Sequence, residues 1–128
     1  FGSDGSDQAT FKTPGTYVSA FAPDIRDSAN AKSVIDNYLS TYNAELKDIS
    51  TFGPPAYVAA QAIVEAAGRV CKAGKAADAA STLAEVKKTK IAKTILDAPL
   101  VFTATGDVKG AEIYIFKTQK DGTRKLVR

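Results

Sequence analysis

The sequence predicts an α/β fold, and three features carry that expectation. A short aromatic and β-branched run lies near residues 16–21, three consecutive segments then follow helical periodicity, and everything after Pro99 returns to strand-like composition. The chain has one domain's length, 128 residues, with 45% apolar and 24% charged side chains. That composition suits layers of helix packed on sheet and argues against disorder or a coiled coil.

Each element has its own local reason. Gly2-Ser3-Asp4-Gly5-Ser6-Asp7 is dense in turn formers, so the chain opens in a loop. Thr16 to Phe21 reads as a strand closed by Pro23. Asp27 and Ser28 are the expected N-caps of a first helix, whose apolar positions Ala31, Val34, Ile35, Tyr38, Leu39 and Tyr42 define one buried face. Pro54-Pro55 suits a helical first turn, and Ala56 to Val70 is apolar almost all round, which predicts the central buried helix. Ala73-Gly74 should end it through a left-handed residue. A third helix is expected from about Ala76 to Lys88, with Ala79, Leu83 and Val86 inward. Strands follow at Leu100 to Thr103, Ala111 to Thr118 and Lys125 to Val127, separated by turns at Gly106-Asp107 and Asp121-Gly122. In the middle strand Ile113 and Ile115 alternate with Tyr114 and Phe116, so both faces are expected to be covered.

Several chemistries are closed to this chain. It has no histidine and one cysteine, Cys71. That removes Ser-His and Cys-His nucleophile pairs, histidine general acids and bases, His-ligated metal, internal disulfides and CxxC redox pairs. No nucleophile stands beside a base, so the chain reads as a binding module and not an enzyme, needing no cofactor and no metal. It also lacks methionine and opens on Phe1, which reads as a processed product or an excerpt of a longer protein.

Net charge is +3, unevenly placed: residues 1–64 sum to −3 and residues 65–128 to +6. The lysines are spread among acids and are neither interleaved with aromatics nor crowded onto one helix face, so a solvated lysine-rich face is expected and no nucleic-acid partner. Lys87, Lys88, Lys90 and Lys93 are expected to mark a helix C-terminus, where cations complement the macrodipole. Gln61, Glu65 and Arg69 interrupt the most apolar stretch, so no membrane span is read there.

Three local features are candidates for function. The opening Gly-Ser-Asp-Gly-Ser-Asp brings glycine backbone and the Asp4 carboxylate near a small ligand or else forms a plain surface turn; it lacks the strand-to-helix pattern of a nucleotide loop. Thr51-Phe52-Gly53-Pro54-Pro55 delivers an aromatic just before a buried helix, where such a Phe is expected as a core or staple residue. Cys71 lies beside Lys72 and near Arg69, and without a partner base it reads as a buried, inert thiol.

Taken in order, Gly2-Ser3-Asp4-Gly5, the Tyr17-Val18-Ser19 strand, Phe52-Gly53-Pro54-Pro55-Ala56-Tyr57-Val58-Ala59-Ala60, and Ala98-Pro99-Leu100-Val101-Phe102 through Gly106-Asp107-Val108-Lys109-Gly110 to Ile115-Phe116 resemble the C-terminal portion of a type I periplasmic solute-binding protein. The branch it resembles is that of the leucine/isoleucine/valine receptors of ABC importers, and the resemblance spans nearly the whole chain.

That resemblance implies part of a bilobed, Rossmann-like receptor that closes on its ligand by hinge bending. Residues 1–22 fall in the second lobe, 23–112 in the first, and 113–128 return to the second; the chain is about a third of such a receptor. Two functional residues carry over. Asp4 falls where an acidic residue pairs with the α-ammonium of an amino acid, with Asp standing where Glu is frequent, and Phe52 falls where an aromatic lines the ligand's side-chain pocket. Thr103 departs from the acidic residue common before the Gly-Asp turn, a difference expected to be structural. The implied ligand is an amino acid, branched-chain above others, and the implied partner is the membrane permease of an ABC transporter. The implied parent carries a signal peptide and lies in the periplasm or outside the cytoplasm, with or without a lipid anchor. The alternative is a sensory ligand-binding domain of the same fold attached to a signalling output. Incomplete lobes would expose apolar faces, so self-association of the chain is also expected.

Overall fold

The computed structural model describes residues 1–3, 5 and 13–127, without the side chains of Asp27 and Lys47. In chain order the elements are β1 (Tyr17–Ala20), α1 (Lys32–Tyr42), α2 (Gly53–Lys72), α3 (Ala79–Val86), β2 (Lys90–Ile91), β3 (Leu100–Val101), β4 (Tyr114–Thr118) and β5 (Arg124–Leu126). They form two compact units, one of Phe1–Pro23 with Ala111–Arg128, the other of Asp24–Gly110.

The first unit is a three-stranded antiparallel sheet ordered β1-β4-β5. Its register pairs Val18 with Phe116 and Tyr17 with Lys117. Alternation then buries Val18, 1% exposed, and leaves Tyr17 outward with the Lys117 ammonium 5.5 Å from its ring centre. Gly2 bridges to Val18 in parallel, donating to Tyr17 O at 2.8 Å and accepting from Ser19 N at 3.0 Å. The Asp121-Gly122 turn joins β4 to β5 as expected: Gly122 takes φ +81°, and Asp121 Oδ1 accepts from the Thr123 amide and hydroxyl at 2.9 and 2.6 Å. β4 is shorter than its sequence pattern, because β1 offers partners only to Tyr114 through Lys117. Ile113 therefore lies outside the strand, 69% exposed, and the expected cover on its face is missing.

The second unit holds a core of Ile25, Ala31, Ile35, Val58, Ala62, Ile95 and Leu100. The first helix starts later than the capping residues suggested. Asp24 caps a 3-10 turn over Ile25–Asp27, accepting from Arg26 N at 3.0 Å, and Ser28 Oγ accepts from Ala31 N at 3.2 Å. Asp27 and Ser28 are thus not N-caps of α1; the local hydrogen bonds of this turn are satisfied first, and α1 begins at Lys32 without a side-chain cap. Its apolar face is also narrower than predicted. Ile35 is buried, whereas Tyr38 and Tyr42 are 42% and 69% exposed, their rings 5.1 Å apart. Asn43, in the left-handed region at φ 49°, ends the helix.

α2 corrects a second expectation. Only Pro54, Val58, Ala62, Ala66 and Val70 are buried, a strict every-fourth stripe facing the core. Tyr57, Ile63 and Val64 stand 46%, 54% and 70% exposed, so α2 is packed on one side. Apolar composition all round says that either face can be buried, but not that an element lies against both. Gly74, at φ +72°, closes the C-terminus as predicted, with Lys75 N donating to Val70 O at 3.2 Å.

α3 is only eight residues long, starting after Asp78, whose carboxylate accepts from Ser81 N at 2.7 Å. None of its residues is buried, and Leu83, expected inward, is 57% exposed. Polar contacts hold its C-terminal turn on α2 instead. Arg69 Nε meets Glu85 Oε2 at 3.2 Å, Arg69 Nη2 donates to Glu85 O at 2.9 Å, and Lys88 Nζ reaches Glu85 Oε1 at 2.6 Å. Of the basic cluster, Lys87 caps α3 while Lys90 already belongs to β2, so it marks the helix end only in part. β2 has no strand signal in the sequence; it forms by antiparallel pairing of Lys90-Ile91 with Val101-Leu100. Beyond β3, the predicted Gly106-Asp107 turn closes with Gly106 at φ +95°, and Thr103 Oγ1 accepts from Asp107 N at 3.1 Å. Thr103 is therefore a turn residue.

Candidate functional site

The N-terminus of α2 positions Phe52. Its amide donates to Ser50 Oγ at 3.2 Å and its carbonyl accepts from Ala56 N at 3.2 Å, which fixes the backbone as the helix cap. Gly53 N donates to Ser50 O at 3.1 Å, and Pro54 and Pro55 have no amide hydrogen to offer. Few backbone donors remain at this helix end, and its surface is mainly apolar. The Phe52 side chain is 46% exposed, so it is no core residue.

Asp4 lies outside the described residues, so the Asp4 and Phe52 pair is not a described site. Cys71 is exposed, not the buried thiol its apolar neighbours suggested, because it sits on the side of α2 away from the Val58-to-Val70 stripe. Among the described residues no group of His, Cys, Asp and Glu side chains is arranged to hold a metal, and no helix is long and apolar enough to cross a membrane.

The second unit also contains a groove of about 450 Å³ between α1 and the start of α2. Val34, Ile35 and Tyr38 line it from α1, Tyr57 from α2, Ile95 from the core, and Asp48 from the 3-10 turn Leu46–Asp48. Asp48 Oδ2 accepts from Glu45 N at 2.8 Å, holding the carboxylate in a capping box. Phe52 is not among the lining residues. Sequence reading missed this groove because it treats Tyr38 as core and Tyr57 as part of an all-buried helix. The available signal was the pair of aromatics on either side of the Glu45-x-x-Asp48 spacing.

No family model matches the sequence, and no curated protein matches it either. Among solved structures the chain is similar to the leucine binding protein LivK of Thermotoga maritima MSB8, with TM-score 0.72 and 16% identity over 98% of this chain. The fold is that of part of a periplasmic binding protein. The matched region is 35% of that protein's length, and at this identity the likeness is one of architecture. The α/β class expected from the sequence is thereby met, and the resemblance is met at the level of the fold.

Proposed function

We propose that the chain is part of an extracytoplasmic solute-binding receptor that closes two lobes on an amino acid, most readily a branched-chain one. The observation that carries this reading is the match to a leucine binding protein over 98% of the chain. Residues 1–22 and 113–128 serve the second lobe and residues 23–112 the first. The compact units, which divide after Pro23 and after Gly110, support that assignment.

In this reading Asp4 pairs with the ligand's α-ammonium, and Phe52 contributes apolar surface to its side-chain pocket; the half-exposed ring supports the second role. No covalent step is required. The receptor delivers its ligand to the permease of an ABC importer in the periplasm or at the outer face of the membrane, and the chain studied alone associates with itself through its exposed apolar surface.

Thermal unfolding of the polypeptide that carries this sequence tests the reading. Leucine raises Tm in proportion to the logarithm of its free concentration over Kd once that ratio is large. Asp4→Asn abolishes the rise, and Phe52→Ala weakens leucine binding by roughly tenfold. A Tm indifferent to leucine, isoleucine and valine, or an Asp4→Asn variant of unchanged affinity, would overturn it.

A further inference from the structure

We propose that the groove between α1 and the start of α2 is a second binding site, for a small monocation with an apolar body such as an alkyl- or arylammonium compound. Its volume, about 450 Å³, falls within the range of small-molecule sites. Its surface has two chemical parts. Ile35 and Ile95, each 8% exposed, supply an apolar floor, and Tyr38 and Tyr57 supply ring surface that is now open to water. A hydrophobic body covering these groups gains roughly 25 cal/mol per Å² of apolar area withdrawn from solvent.

The polar part is Asp48, the one charged side chain among the described residues that line the groove. Its carboxylate is anchored by the Glu45 amide, and no cation among the described residues pairs with it. A fixed anion beside an apolar groove favours a ligand whose ammonium can donate a charge-assisted hydrogen bond. Tyrosine ring faces add attraction for the same cation. A carboxylate or phosphate would meet repulsion at that place and find no compensating cationic side chain among the described lining residues. This charge complementarity selects the ligand class, and since Phe52 takes no part, the site stands or falls independently of the proposed receptor cleft.

Titration of the chain with 2-phenylethylammonium, 2-phenylethanol and 3-phenylpropionate, followed by amide chemical shifts, tests the inference. The ammonium compound binds about tenfold more tightly than the alcohol and the propionate most weakly, with shifts centred on residues 34–38 and 48–57. Asp48→Asn retains an acceptor for the Glu45 amide, so it lowers ammonium affinity to that of the alcohol while leaving the alcohol unchanged. Tyr57→Ala weakens both. If Asp48→Asn disturbs the turn and alcohol binding falls too, the wild-type chain at about 1 M salt decides, since screening must narrow the gap between ammonium and alcohol. Equal binding of the three probes, shifts elsewhere, or a gap unmoved by salt would overturn the site.

Discussion

Single side chains hold much of the local order here, and four carboxylates show how. The Ser81 amide holds Asp78 below its ordinary pKa, the Lys88 ammonium does the same for Glu85, and the Thr123 hydroxyl for Asp121. For Asp24 burial pushes the pKa up, but hydrogen bonds and charge from Arg26 outweigh it and the net shift is downward. A carboxyl with a depressed folded pKa binds fewer protons folded than unfolded. Its stabilisation is therefore complete above the ordinary value, 3.8 for the three aspartates and 4.5 for Glu85, and disappears as pH falls through the folded value. Stability is expected to be flat near neutrality and to drop below about pH 4; in Asp24→Asn, denaturant midpoints measured against pH should show a shallower acid limb. Thr89 makes the opposite case. Its hydroxyl is buried, 1% exposed, and finds no hydrogen-bond partner among the described residues. Thr89→Val keeps the shape and removes the unmet polar group, so chemical denaturation should show a gain of about 1 kcal/mol.

At the scale of elements, α2 separates what composition tells from what packing decides. Val58 is 4% exposed on the core stripe, and Val58→Ala should cost about 2 kcal/mol through lost transfer energy and a residual cavity. Val64, 70% exposed one helical face away, should tolerate the same change within about 0.5 kcal/mol. Gly68 lies in the helix with open space where a Cβ would stand and no positive φ, so Gly68→Ala should stabilise by about 0.5–1 kcal/mol in urea titrations. The helix itself, its proline start and its Gly74 stop were legible in the sequence because those signals are local. Which valine faces the core was not, since alanine-rich periodicity fits several faces equally. β2 was illegible for a related reason: Lys90-Ile91 has no strand pattern of its own and is extended only because Leu100-Val101 lies beside it. Phe52 could be read as a residue delivered ahead of a helix, but whether its ring is buried or open depends on packing that no dipeptide encodes.

For the molecule as a whole, the consequence of one-sided packing is surface. Ile63, Val64 and Leu83 in the second unit and Phe21, Ile113 and Leu126 in the first are each at least half exposed, although all are large apolar side chains. Scattered singly such residues are ordinary, but Ile63 and Val64 are adjacent on one helix, and Tyr57 lies on the same exposed side. The net charge of +3 on 128 residues opposes association only weakly, and salt screens it further. Self-association of this chain should therefore grow with protein concentration and persist at high salt, where purely ionic contacts would fade. Val64→Glu places a charge in the middle of that surface without touching the core stripe. Sedimentation velocity should show the variant remaining monomeric to higher concentration while its stability to denaturant stays within about 0.5 kcal/mol of the parent's. A wild-type chain that is monomeric throughout the concentration series, or a variant that associates equally, would place the driving contacts elsewhere than on the outer face of α2.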